Sequence, residues 1–181
     1  MNQDTISDQG IDLSNISEED LQTVMECVAK GVTPAEVAGV GQDRLEALYA
    51  LGHRLYTTGE YQDAETVFKS LCIYDYHDDR FWMGLGATFQ AQKNYQRAID
   101  VYSMAGMTTG LNDPTPFYYA ALCFLKLGDK QSADVSLSAI KAIGQSDNSK
   151  HADIKAKAAS LRSLLQDQLI SQNTSTSEAI Q

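Results

Sequence analysis

Three stretches of this chain align with one another without a gap: LYALGHRLYTTGEYQDAETVFKSL from residue 48, WMGLGATFQAQKNYQRAIDVYSMA from 82 and FYYAALCFLKLGDKQSADVSLSAI from 117, their starts 34 and 35 residues apart. A repeat of this length constrains the fold more than any single residue does, because one unit cannot bury its apolar face alone and must stack on the next. Each unit reads as two helices. In the first, large residues recur as Leu48, Trp82 and Phe117, the pairs Leu51-Gly52, Leu85-Gly86 and Ala120-Ala121 supply the small positions, and Leu55, Phe89 and Phe124 follow. In the second, small Ala64, Ala98 and Ala133 precede Phe68, Tyr102 and Leu137, then Leu71, Ala105 and Ile140. Antiparallel helices approach closely only where a glycine or alanine permits it, and a large neighbour fills the space the small one leaves. The turns TTGEY, AQKNY and KLGDK carry glycine or asparagine where a helix ends on a left-handed residue.

This is the tetratricopeptide period, and it predicts an all-α solenoid of three helix pairs over 45–144, with N-terminal helices and a C-terminal capping helix. Over 17–44, Ser17 followed by EED is a capping start, and Leu21, Val24, Met25 and Val28 recur at helical spacing. A short helix is expected at about 34–39, with Asp43 capping the first repeat. After the third repeat GQSDNSK reads as a loop. Ile154, Ala158, Leu161, Leu164 and Leu165 then mark a closing helix over 150–170, with Lys150, Lys155, Lys157 and Arg162 on its polar side. A terminal repeat needs such a cover. Residues 171–181, SQNTSTSEAIQ, are too polar to fold and are expected to be disordered, as is an acidic leader over 1–16.

The formal net charge is −10, and residues 1–46 hold ten acids against Lys30 and Arg44. This speaks against nucleic acid, which needs a clustered basic surface. There is no run of apolar residues long enough to span a bilayer, and the polar, acidic start is unlike a signal peptide, so direct membrane insertion is not expected and a cytoplasmic protein is. Cys27, Cys72 and Cys123 lie far apart, without C-x-x-C spacing, and read as core residues in a reducing compartment.

Chemistry is concentrated in one stretch, CIYDYHDDRFWMGLG at 72–86, which holds Cys72, Asp75, His77, Asp78 and Asp79. The repeat assigns it a plainer role. Cys72 follows the last core leucine of the first unit, His77 to Asp79 fall in the turn between units, and Asp78 or Asp79 is placed to cap the next helix. With no phosphate-binding glycine loop, no H-E-x-x-H and no G-x-S-x-G, neither an enzyme, a metal site nor a cofactor is expected.

In a stack of helix pairs the first helix of each pair lines the concave side. Tyr49, His53 and Tyr56 fall at i, i+4 and i+7; Met83, Ala87 and Gln90 repeat the offsets, as do Tyr118, Leu122 and Leu125. Three parallel stripes, rich in tyrosine and free of acids, suit an extended or partly folded apolar peptide. The wall lacks the inward lysine and arginine of a carboxylate clamp.

The stretch LEALYALGHRLYTTGEYQDAETVFKSLCIYDYHDDRFWMGLGATFQ, above all FKSLCIYD and MGLG, resembles the class II chaperones of bacterial type III secretion systems, which hold the hydrophobic translocator subunits. The resemblance spans 21 to about 143. VMECVAKGVTPAEV keeps one glycine of the family's glycine-glycine-threonine turn, and NDPTPFYYAALCFLKLGD is similar to its third repeat. It implies a bacterial cytosolic chaperone that uses no ATP and takes an extended translocator segment into its groove. The implied groove residues are Tyr49, His53, Tyr56, Met83, Ala87, Gln90, Tyr118 and, by the spacing above, Leu122, with Tyr61, Tyr74 and Tyr102 at the border. It also makes Leu21, Val24, Met25 and Val28 candidates for a homodimer contact, leaving a homodimer and a one-to-one cargo complex both open. A general tetratricopeptide adaptor, or a scaffold that binds a regulator, is the competing reading.

Overall fold

The computed structural model describes residues 22, 26, 27, 29–143 and 148–178, of which 169–178 enter as backbone only. The acidic leader, Ser17 and the proposed dimer contacts Leu21, Val24, Met25 and Val28 lie outside the described residues. Among the described residues the helices are α1 (Pro34–Val37), α2 (Gln42–Thr58), α3 (Tyr61–Tyr74), α4 (Asp79–Ala91), α5 (Tyr95–Thr108), α6 (Thr115–Leu127), α7 (Lys130–Ala139) and α8 (Ser149–Glu178). The pairs α2/α3, α4/α5 and α6/α7 are the three repeats, and each helix from α2 on packs against the next.

Local signals set the boundaries. Thr33 caps α1 in a reciprocal box, its hydroxyl accepting from the Glu36 N–H while the Glu36 carboxylate accepts from the Thr33 N–H at 2.8 Å. α1 ends at Val37, short of the expected residue 39. The cap of α2 is Gly41 rather than Asp43. Asp43 sits in the first turn with its carboxylate folded back, 2.6 Å from where a Cβ on Gly41 would stand, so it serves the helix N-terminus as a charge from inside the helix. Asp78 caps α4 as expected, accepting from the Arg80 N–H at 3.0 Å. The three intra-repeat turns put a left-handed residue at equivalent places: Gly59 at φ +86°, Gly128 at +81°, and between them Lys93 at +62°. Asn94, expected in that role, instead precedes α5 with φ −85°. The repeat period fixes which residue must turn, and there the chain carries a lysine.

Packing follows the small-residue positions. Phe68 on α3 is 2% exposed and is held between two glycines: a Cβ on Gly52 would lie 3.1 Å from its ring, and one on Gly84 only 2.4 Å. One unit on, Tyr102 takes the place of Phe68. Gly86 presses on it in the same way, with a would-be Cβ at 2.6 Å. On the other side of Tyr102, however, where the period places the counterpart of Gly84, stands Tyr119, its ring stacked on Tyr102 at 5.7 Å. Phe81 is fully buried, while Trp82, expected at the core, is half-buried and anchored by its Nε1–H donating to the Tyr76 carbonyl at 2.9 Å.

Phe89, on α4, has its ring roofed by the Arg97 guanidinium at 4.1 Å and by Lys69 at 5.9 Å. Glu65 ties the roof together: it pairs with Lys69 at 2.6 Å and Arg97 at 3.6 Å, and accepts from Gln92 at 2.9 Å. Partial burial works to raise the Glu65 carboxyl, but the Lys69 and Gln92 hydrogen bonds and the two cations outweigh it and leave the group below its ordinary value.

At the C-terminal end Ala121, Ala133, Leu137 and Ile140 join Ala158 and Leu165 of α8 in a second core cluster. Leu165 faces inward, while Leu164, expected in the same stripe, is 64% exposed. Arg162 reaches back to Asp134 on α7 at 2.8 Å. α8 runs to Glu178, past the end expected at 170 and into the segment expected to be disordered. No glycine follows Gly144 and no proline follows Pro116, so once the helix is nucleated on α7 each further turn adds hydrogen bonds without a new nucleation cost.

Candidate functional site

The concave side carries a pocket of about 460 Å³ shared by all three repeats. The first helix of the first repeat contributes Tyr56, and that of the second contributes Met83, Ala87, Gln90 and Ala91. Tyr95 and Tyr102 enter from α5, and Tyr119 and Lys126 from α6. Tyr102 forms a rigid floor: it is 1% exposed, stacked on Tyr119, and its hydroxyl donates to Gln90 Oε1 at 2.8 Å. Burial, with the neighbouring Cys123, Tyr119 and Tyr56 adding to it, pushes its phenol far above the ordinary range, so it stays a neutral donor. With the Gln90 oxygen engaged, its amide nitrogen is left to donate toward the groove. Tyr61 stands behind the rim, 5.8 Å from Tyr56.

Four of the expected groove residues, Tyr56, Met83, Ala87 and Gln90, meet in this pocket, and the rest do not. Tyr49 is drawn into the joint between the first two repeats, its ring 6.1 Å from Phe68 and 5.8 Å from Phe81, under the Arg80 guanidinium at 5.2 Å. Arg80 is itself fixed by Asp78 and Glu46, each at 2.6 Å. His53 is exposed on α2, and Leu122 is half-buried on α6 outside the pocket lining. Tyr118 and Leu125 turn away to pack on the second core cluster under α8. Tyr74 packs on the main core instead of bordering the pocket.

Tyr119 and Lys126 therefore represent the third repeat where Tyr118, Leu122 and Leu125 were expected, and they stand at the repeat positions of Gly84 and Ala91. At the first of these places a glycine lets α4 approach Phe68, whereas in the third repeat Tyr119 lays its ring on Tyr102 at 5.7 Å and so reaches the pocket. The signal was present in the repeat itself, as a tyrosine in the glycine register. Tyr95, also missed, is the counterpart of Tyr61, which the sequence had placed at the groove border.

The residues of CIYDYHDDRFWMGLG do not converge on a ligand. His77 donates its backbone N–H to Asp75 at 3.0 Å, and Asp78 is spent on the cap and on Arg80. Burial, with the Asp78 charge behind it, pushes the Cys72 thiol up to about 12, so it is no nucleophile at neutral pH. Among the described residues no group of three or more histidine, cysteine or acidic side chains could hold a metal ion. None of the helices described is long and apolar enough to cross a membrane.

A family model described as a tetratricopeptide repeat matches residues 49–109. The chain is 37% identical over 113 residues to the chaperone protein SicA of Salmonella typhimurium, covering 62% of this chain and 68% of SicA. Among solved structures, a type III secretion complex from Aeromonas hydrophila superposes with a TM-score of 0.74 at 30% identity, over 81% of this chain and 97% of that one. The Yersinia enterocolitica type III secretion chaperone SycD, solved with a peptide of the translocator YopD, superposes with a TM-score of 0.64 at 32% identity, over 71% and 97%.

Proposed function

The chain belongs to the translocator chaperones of bacterial type III secretion systems, and on that premise we propose that its concave pocket holds an extended segment of a hydrophobic translocator subunit in the cytoplasm before export. The observation that carries this is the convergence of Tyr56, Met83, Ala87 and Gln90 with Tyr102 and Tyr119 on one pocket fed by all three repeats. Tyrosine and methionine give broad, adaptable apolar contact. The free Gln90 amide nitrogen and the tyrosine hydroxyls offer partners to the backbone of a strand that has no neighbours of its own.

The mechanism needs no chemistry. A translocator carries membrane-inserting segments whose exposed apolar surface drives aggregation, and masking one anchor segment keeps the subunit apart from its fellows. Two or three anchors contribute about 1.5–3 kcal/mol each, less the cost of ordering the strand, which leaves an affinity that export can reverse without ATP. Homodimerisation through Leu21, Val24, Met25 and Val28 belongs to the same proposal.

The test is co-expression with the product of a neighbouring gene that encodes transmembrane helices. Replacing Tyr56 and Met83 by aspartate should release that protein while far-UV circular dichroism stays helical. Co-purification undiminished by both substitutions would end the groove reading.

A further inference from the structure

The pocket is not uniformly apolar. Its lining includes a single charged side chain, Lys126, in the last turn of α6 and seven residues beyond Tyr119 on the same face. Among the described residues Lys126 forms no ion pair. The carboxylate next along the chain, Asp129, is committed elsewhere: it caps α7 by accepting from the Ser132 N–H at 2.9 Å. A cation in the last turn of a helix is favoured by the helix dipole on any face. That does not account for its position on the one face that looks into the groove, in a chain whose net charge is −10.

We propose that the pocket selects an extended segment with an acidic side chain beside its apolar anchor, and that Lys126 is the residue that reads the acid. The proposal rests on the peptide-binding reading above and names the chemistry of its ligand. Away from Lys126 the lining is tyrosine, methionine, alanine and one glutamine, so an acid brought there is desolvated without a cation, and only the register that brings it to Lys126 pairs it while the tyrosine and methionine walls take the anchor. Specificity then comes from a penalty on wrong registers as much as from attraction in the right one.

A phage-displayed library of random dodecapeptides, panned against the full chain and against Lys126→Glu, tests this with a defined probe. Clones from the native chain should carry aspartate or glutamate at a fixed offset from an apolar anchor. Clones from Lys126→Glu should keep the anchor and carry lysine or arginine there. A synthetic peptide from the first set should bind the native chain about three- to tenfold more tightly than its Asp→Asn or Glu→Gln version, and the two should bind Lys126→Ala equally. The difference should narrow as salt is raised. Anchored clones with no acid preference, or an equal affinity of the paired peptides for the native chain, would overturn the proposal and leave the groove reading standing. Clones whose binding survives Met83→Asp would overturn both. Lys126 is exposed, so its replacement leaves the fold intact, which circular dichroism checks.

Discussion

Gly84→Ala is the substitution that most directly probes how the repeats are joined. Inside a helix the exchange alone should stabilise by about 1 kcal/mol, because alanine is the better helix former. Here the new methyl would stand 2.4, 2.6 and 2.7 Å from three atoms of the Phe68 ring. The ring cannot retreat: it is 2% exposed, and on its far side the space at Gly52 is already closed to 3.1 Å from a would-be Cβ. Overpacking of this kind costs about 1–3 kcal/mol, and the absence of slack on either side argues for the upper end. The net expectation is a loss of about 2 kcal/mol, or roughly 4–8 °C in Tm for a chain of this size. Urea unfolding followed by far-UV circular dichroism, with unchanged m, measures it. A double-mutant cycle with Phe68→Leu should show coupling of at least about 0.5 kcal/mol, because the smaller side chain relieves the clash. A Gly84→Ala protein as stable as the native one or more so, or purely additive behaviour in the cycle, would refute the idea that Phe68 sets the approach of α3 and α4.

Other outcomes follow from the same geometry. Lys93→Gly should raise stability by up to about 1 kcal/mol, since it removes a side chain from a left-handed position at φ +62°, whereas Gly59→Ala should lower it by about as much; thermal melts of the pair decide. Tyr102→Phe leaves Gln90 Oε1 without its donor and should cost about 1 kcal/mol, together with weaker binding of any groove peptide in a fluorescence titration. The Glu65 carboxyl is held below its unfolded value, so its contribution to stability is present above about pH 4.5 and is lost as pH falls through the lowered folded value. Acid unfolding of Glu65→Gln should accordingly be less steep below about pH 4.5 than that of the native chain, and coincident curves would show the Phe89 roof to be inert.

The helix pairs were legible because the period speaks at many positions at once: Gly52 and Gly86, Ala64, Ala98 and Ala133, Phe68 and Tyr102 all testify to the same crossing. Half of the pocket was legible for the same reason, since Tyr56, Met83, Ala87 and Gln90 lie where equal offsets put them. What failed was the assumption that equal offsets mean equal orientation. Tyr119, in the place of Gly84, stacks on Tyr102 and lines the pocket where Tyr118 was expected, and Tyr49 is claimed by Phe68, Phe81 and Arg80, contacts to other helices that leave no mark in a single stripe. The length of α8 was misjudged from composition, because polarity argues against burial but not against continuing a helix already begun.

The two joints of the solenoid, Phe68 on Gly84 and Tyr102 on Tyr119, have one further consequence. A trough built of identical spans would let a bound strand slip by a whole unit at no cost. This one has a smooth joint at one end and a raised aromatic step at the other, with a lysine beyond it. A strand laid in it would meet a different surface at each joint, so its position along the trough, and with that how much of each flank would emerge at either mouth, would be set by the trough itself.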